Sequence, residues 1–302
     1  MPRGEHQPRY GEQPPADRVK QALETLEKGI DAILTAEGFA SYLQMMARLT
    51  HYSAGNLALI YTQCPDATQV AGYRKWQEVG RQVRKGEKGI TILVPHKWKV
   101  PAETEEDEDR VLVRGFGTGT VFDIAATDGP PLPELPVAEP VDGASDVGMR
   151  LFIDLLDYLG TQGVPVSREA LPRANGTWDP LARSIALSTQ IDGDMATKTL
   201  THKTAHMVAG HTLGMDHRDV ETVAESSVFV VLSHYGIESR GYSFPYVARW
   251  AQDRVVLKRN LDAIQQVSHG IITTLEGIPQ RVEHEQPPRT KQRASRDRVG
   301  TS

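Results

Sequence analysis

The chain has a single cysteine, Cys64, so it can form neither an internal disulfide nor a Cys-rich zinc site. No run approaches the ~20 apolar residues that a membrane span needs. The opening stretch MPRGEHQPRYGEQPPADR has no apolar core of the secretory-signal kind. These absences point to a reducing compartment, with the cytoplasm as the expected address. A strong overall charge is also missing, since the net value is −5 over 302 residues. That length allows about two domains of ordinary size.

The modest net charge hides an asymmetry. Between Arg48 and Val100 there are nine Lys/Arg against three acids, a local +6 in an acidic chain. Segregation of this kind favours a polyanionic partner. Apolar residues Val19, Leu23, Leu26, Ile30 and Ile33 keep helical spacing, and a second helix is expected over 38–48. Ser53 is a candidate N-cap for a third. Tyr73–Val79 suits a short helix stopped by Gly80, and 82–99 reads as two strands around the turn Arg84-Lys85-Gly86-Glu87-Lys88-Gly89. Strand-like RVLVRGF and TVFDIA flank Gly115, Gly117 and Gly119, and the acidic run 103–109 before them is expected as a solvated hairpin loop.

The Pro-rich stretch 128–144 reads as a linker. It divides an N-terminal domain at 18–127 from a second at 145–278, with tails expected at 1–17 and 279–302. In the second domain a helix over 146–162 precedes short strands near 164–166, 176–179 and 184–187. Helices are then expected over 196–209, 218–235, 244–259 and 260–275. The fold class is α+β, a helical and β-hairpin domain followed by a mostly helical one with a small sheet.

A surface for single-stranded nucleic acid needs cations that track phosphates and flat side chains on which bases stack. The basic segment offers both. Tyr73, Trp76 and Trp98 are interleaved with Arg74, Lys75, Arg81, Arg84, Lys85, Lys88, Lys97 and Lys99. Glycines in the RKGEKG turn free backbone N–H groups for a phosphate, and Asn56 adds a polar contact. The plain alternative is a charged hairpin face with its Trp and Tyr in the core.

The blocks GYRKWQ, GRQVRKGEKG and DGPPLPE, within residues 20–136, resemble the N-terminal domain of ArdC-type antirestriction proteins. That resemblance implies sequence-tolerant binding of single-stranded DNA.

A second constellation lies in TKTLTHKTAHMVAG. His202 and His206 are four residues apart, on one helix face, where two imidazoles can share a metal. Glu221, Glu225, Val228 and Leu232 then set two carboxylates in an otherwise apolar helical stripe, and buried carboxylates need partners. His-x-x-x-His followed by a Glu-bearing helix resembles the gluzincin arrangement. ArdC-type proteins carry a zinc-metallopeptidase-like domain there, and ETVAESSVFVV and YSFPYVARW are similar to their segments. The metal implied is Zn²⁺, with Glu221 as the usual ligand and Glu225 behind it, the reverse assignment staying open. Ser184–Leu187 would correspond to the edge strand that holds an extended peptide.

One departure outweighs these similarities. The family has Glu after the first histidine; this chain has Lys203. That Glu takes the proton from zinc-bound water, and a lysine at neutral pH has no vacancy for it. Val223 also stands where related sequences have a further acid. His211, His217 and His234 read as capping or surface histidines. Tyr235, Tyr242 and Tyr246 are oxyanion candidates that core packing explains better. The expected function is single-stranded-DNA binding with an inactive peptidase-like domain. The alternatives are a working zinc peptidase acting on DNA-associated proteins, and a pseudoprotease whose groove holds a protein partner.

Overall fold

The computed structural model describes residues 15–100, 110–132, 145–212, 215–237 and 254–278. Three helices open the chain: α1 (Pro15–Ile33), α2 (Ala36–Arg48) and α3 (Ala54–Gln63). Thr35 caps α2 by accepting from the Gly38 N–H, and Ser53 caps α3 by accepting from the Asn56 N–H. Such caps satisfy donors that the first helical turn leaves open.

After β1 (Val70–Gly72) comes the short helix α4 (Tyr73–Glu78). Gly80 adopts φ +76 and ends it, while the Arg81 N–H reaches back to the Trp76 carbonyl at 2.8 Å. Left-handed glycine with this back-bond is a standard helix stop.

Strand β2 (Gln82–Val83) does not pair across the 84–89 turn with β3 (Ile90–Val100), as its sequence neighbour would lead one to expect. It pairs instead with β5 (Thr127–Asp128), and β3 pairs with β4 (Arg110–Asp123) in a long antiparallel ladder. Thus the two strand-like pieces around the glycines are one continuous strand. The acidic stretch lies outside the described residues.

β1, β4 and β3 form one sheet in that order. Its β3 edge is covered by α3. Asn56 donates to and accepts from the Leu93 backbone at 2.9 Å, and Gln63 does the same with Thr91 at 2.9 Å. Two side-chain amides therefore complete the ladder that a further strand would otherwise complete.

The second half holds α5 (Asp146–Thr161), then β6 (Val166–Glu169), β7 (Gly176–Asp179) and β8 (Ser184–Ser188), then α6 (Gly193–Val208) and α7 (His217–His234). Last is α8 (Arg254–Glu276), continuous where two helices were expected. Strand order is β6-β8-β7, so β8 is central and β6 and β7 are the edges. That corrects the expectation that Ser184–Leu187 is the edge strand. β7 lies against α6 so closely that a Cβ on Gly176 would sit 2.8 Å from Thr199 Cγ2.

One buried apolar cluster runs through both halves, from Phe39, Leu43 and Leu57 to Val228, Leu257 and Ile264. His234 on α7 donates from Nδ1 to the Ala47 carbonyl at 2.8 Å, and its Nε2 lies 3.0 Å from Glu276. This histidine bridges three helices, α2, α7 and α8, so it is more than a cap. Among the described residues no helix is long and apolar enough to cross a membrane.

Candidate metal centre and nucleic-acid interface

Helix α6 is buried although it lacks a strong apolar stripe. Its threonines make that possible: Thr197, Thr199, Thr201 and Thr204 each return their hydroxyl to the carbonyl four residues back. Each hydroxyl is thereby satisfied inside the helix, and burying it costs little.

The same helix directs His202 and His206 toward α7. Their Nε2 atoms are 3.1 Å apart. Glu221 straddles them, with one oxygen 3.4 Å from His202 Nε2 and the other 3.4 Å from His206 Nε2. One donor atom from each of these three residues falls within 4.8 Å of the others. Two imidazoles and a carboxylate at this separation are a donor set for a divalent ion.

Glu225 lies on the far side of His202, 3.7 Å from Nδ1. His211 lies on the far side of His206, with the two Nδ1 atoms 3.0 Å apart. His211 belongs to the cluster, a role its spacing from His206 concealed. The open choice between the two glutamates is geometrically lopsided, since Glu221 alone meets both Nε2 atoms.

Electrostatics favour the cation-binding forms of His206 and Glu221. Burial and the neighbouring His202 hold His206 down to about 3. The hydrogen bond from His202 holds Glu221 down to about 2, against the opposing effect of burial. Lys203 is pushed below the usual ammonium range by burial, with Glu221 and Glu225 pulling the other way. It lines a cavity of about 400 Å³ with His202, Glu225 and residues 174–176 leading into β7. The side chain of His217 lies outside the described residues, as do Tyr242 and Tyr246. Tyr235 packs against the core, and burial pushes its hydroxyl far up.

The nucleic-acid candidates divide sharply. Trp76 is only 3% exposed, and its Nε1 donates to the Phe122 carbonyl at 3.0 Å. A ring so enclosed cannot serve as an open stacking platform, which corrects that expectation. Asn56 is likewise committed to β3.

Arg81 donates to Thr127 Oγ1 at 2.8 Å, to the Thr127 carbonyl at 3.1 Å, and to the carbonyls of Gly129 and Pro130. Arg84 is held by Glu87 at 2.8 Å, by Asp128 at 3.3 Å and by the Ala125 carbonyl. These two arginines fasten the start of the DGPPLPE block to the GRQVRKGEKG block. Most of their donors are engaged within the chain, with Arg81 half-buried and Arg84 exposed, so fewer are left for a phosphate than the sequence leads one to expect. Arg74, Lys85 and Lys88 are exposed, as is Tyr73, whose hydroxyl accepts from Gln82. Lys75 is exposed too and pairs with Glu78 at 3.0 Å.

Another aromatic and cationic surface lies on the β3–β4 ladder. Trp98 is 55% exposed and Phe116 is 54% exposed, large figures for such rings. Arg114 sits over the Trp98 ring at 5.0 Å from its centroid, a cation–π distance. Lys97 is exposed too, on the other face of β3 from Trp98. Trp98 and Lys97 were visible as part of the basic interleaving. Phe116 and Arg114 were missed, and their one sequence signal is a strand in which an aromatic stands between Gly115 and Gly117.

Residues 15–122 match the sequence profile of the N-terminal domain of anti-restriction factor ArdC. Over 91% of its length the chain is 22% identical to the uncharacterized protein pXO2-81 of Bacillus anthracis, covering 54% of that protein. A shorter stretch, 28% of the chain, is 37% identical to the uncharacterized protein y4eC of Sinorhizobium fredii, covering 30% of it. The chain therefore spans about half the length of the first relative and under a third of the second.

Two crystal structures of the antirestriction ArdC protein from plasmid R388 are also similar. The metal-free one has 20% identity and a TM-score of 0.47, over 76% of this chain and 87% of that one. The Mn(II)-bound one has 18% identity and a TM-score of 0.49, over 85% and 99%.

Proposed function

We propose, from the premise that residues 15–122 are an N-terminal domain of the ArdC antirestriction type, that the chain binds single-stranded DNA in antirestriction or DNA transfer. The observation that carries this reading is the exposed Trp98, Arg114 and Phe116 surface. It joins stacking rings to a cation, the pairing that sequence-tolerant single-strand binders use. Its place of action is the cytoplasm. The test is a titration of single-stranded and blunt duplex DNA at several salt concentrations. Tighter single-strand binding, with log K falling against log[salt] at roughly −0.7 per phosphate neutralised, is expected. Salt-independent binding, or none at low salt, would sink the reading.

The same proposal assigns Zn²⁺ to His202, His206 and Glu221, with Glu225 and His211 orienting the two imidazoles from behind. Convergence of both Nε2 atoms on one carboxylate supports it. Outer partners of this kind fix the ring tautomers that a metal requires. A bound zinc ion would supply a Lewis acid at the edge of the 400 Å³ cavity. The residue beside it is Lys203, and no carboxylate replaces the missing proton acceptor at that position.

Loss of a general base costs roughly 10²–10⁴ in rate, so the centre is read as inactive in peptide hydrolysis. The cavity between the β7 edge and α6 instead suits an extended peptide held uncut. Chelator-sensitive proteolysis by the unmodified protein, abolished by His202→Ala, would overturn the inactive reading. Lys203→Glu is expected to strengthen zinc binding, read by competition with a chromogenic chelator.

A further inference from the structure

We propose that the cleft between the end of α2, β1 and α4 is a nucleobase pocket, taking one unstacked base of a bound single strand. This rests on the single-strand reading and adds a place where an individual base is held. The cleft measures about 220 Å³. That is below the roughly 300–1,000 Å³ of pockets for drug-sized ligands, and suits a single ring system.

Its floor is apolar, built from the buried Leu49, Val70 and Trp76, with Val79 and Leu132 as walls. Trp76, excluded from the open surface, reappears here as lining. The mouth is different in character. Arg48 and Lys75 stand at it, together with Gln69. Among the described residues no ion pair is made by Arg48. Lys75 has only the exposed Glu78 pair, which contributes little and can be exchanged for a phosphate.

The Gln69 backbone is already engaged: its N–H donates to Asp123 Oδ2 at 3.2 Å and its carbonyl accepts from Ile124 at 2.8 Å. Its side-chain amide keeps both a donor and an acceptor for a base edge. A purely apolar ligand would fill the floor and leave two cations and an amide unmatched at the rim. A nucleotide matches all three: ring on the floor, edge on the amide, flanking phosphates on Arg48 and Lys75.

The pocket is also tied to the stacking surface. Trp76 bonds to Phe122 of β4, the strand that carries Arg114 and Phe116. Six residues of strand separate Phe122 from Phe116, about 20 Å, a span within reach of one short oligonucleotide.

The experiment compares dT12 with a twelve-unit abasic oligonucleotide by fluorescence anisotropy, on the full chain. Val79 is 39% exposed at the cleft wall, so Val79→Trp can fill the cleft without entering the core. Its affinity for dT12 should fall about tenfold, the scale of one base contact, while its affinity for the abasic strand stays at the wild-type value. Gln69→Ala, a surface change, should alter the ratio of dT12 to dA12 affinity by about threefold.

Wild-type dT12 affinity in Val79→Trp, or an equal loss on both oligonucleotides, overturns the pocket even if single strands bind well. An unchanged dT12 to dA12 ratio in Gln69→Ala does so as well. Failure of the wild type to bind dT12 at low salt overturns the underlying single-strand reading instead.

Discussion

Two sets of cations in the N-terminal domain are used in opposite ways. One is that of the stretch 74–88, with six Lys/Arg against two acids; the other is Lys97 and Arg114 of the β3–β4 ladder, in a stretch 97–114 with four Lys/Arg against six acids. In the first, Arg81 and Arg84 reach toward residues 125–130 and engage guanidinium donors there, Arg84 while staying exposed and also paired with Glu87. In the second, Arg114 lies over the exposed Trp98 ring, and Lys97 is exposed on the other face of the same strand as Trp98. A cation whose hydrogen bonds are all made at home is part of the scaffold. One resting on an aromatic face can trade that contact for a phosphate and leave the ring to a base. Density of charge along a chain therefore says less about a binding surface than which of its donors remain uncommitted.

The largest expected effect separates the stretches by stability. Trp76→Ala, in the first, should lower unfolding free energy by ~3–5 kcal/mol, measured by urea denaturation. The same experiment on Trp98→Ala should show almost no change, because that ring is mostly in solvent. A stable Trp76→Ala protein would erase the distinction.

Next comes Arg81→Ala, expected to cost ~1–3 kcal/mol of stability through the orphaned carbonyls of 127–130, with the salt slope of DNA binding unaltered. A flatter slope in this variant would return Arg81 to the interface.

Trp98→Ala should then weaken single-strand binding by ~1–3 kcal/mol in a fully folded protein. Equal binding by mutant and wild type would remove the β3–β4 surface from the reading. The smallest effect is expected from Lys85→Ala and Lys88→Ala together. Both residues are exposed on the first stretch, and each phosphate they no longer neutralise should reduce the salt slope by only about 0.7.

Helical spacing made the candidate metal ligands legible in the sequence. His202 and His206 had to share a face, and Glu221 and Glu225 had to share another, so only the meeting of α6 with α7 was left for tertiary packing to decide. His211 escaped notice because it follows the helix end at Gly210, where the chain curls back and periodicity no longer locates a side chain. The DNA surface was less legible for a different reason. Whether an arginine faces phosphate or carbonyl depends on partners 40 or more residues away, as with Arg81 and Gly129. Strand pairing failed in the same manner: nothing local tells β2 to choose β5 across 44 residues when β3 lies just beyond the turn.

The amide pair of α3 has a consequence for how the helix and the sheet hold together. Asn56 and Gln63 occupy the hydrogen-bonding places on β3 that a neighbouring molecule's strand would otherwise claim. The opposite edge, β1, is only three residues long and offers little purchase. Replacing both amides with leucine would retain side-chain bulk yet leave the backbone donors and acceptors of Thr91 and Leu93 unmatched beneath α3, a loss of stability rather than of shape. These two uncharged side chains thus seal a sheet edge that the helix backbone alone could not satisfy.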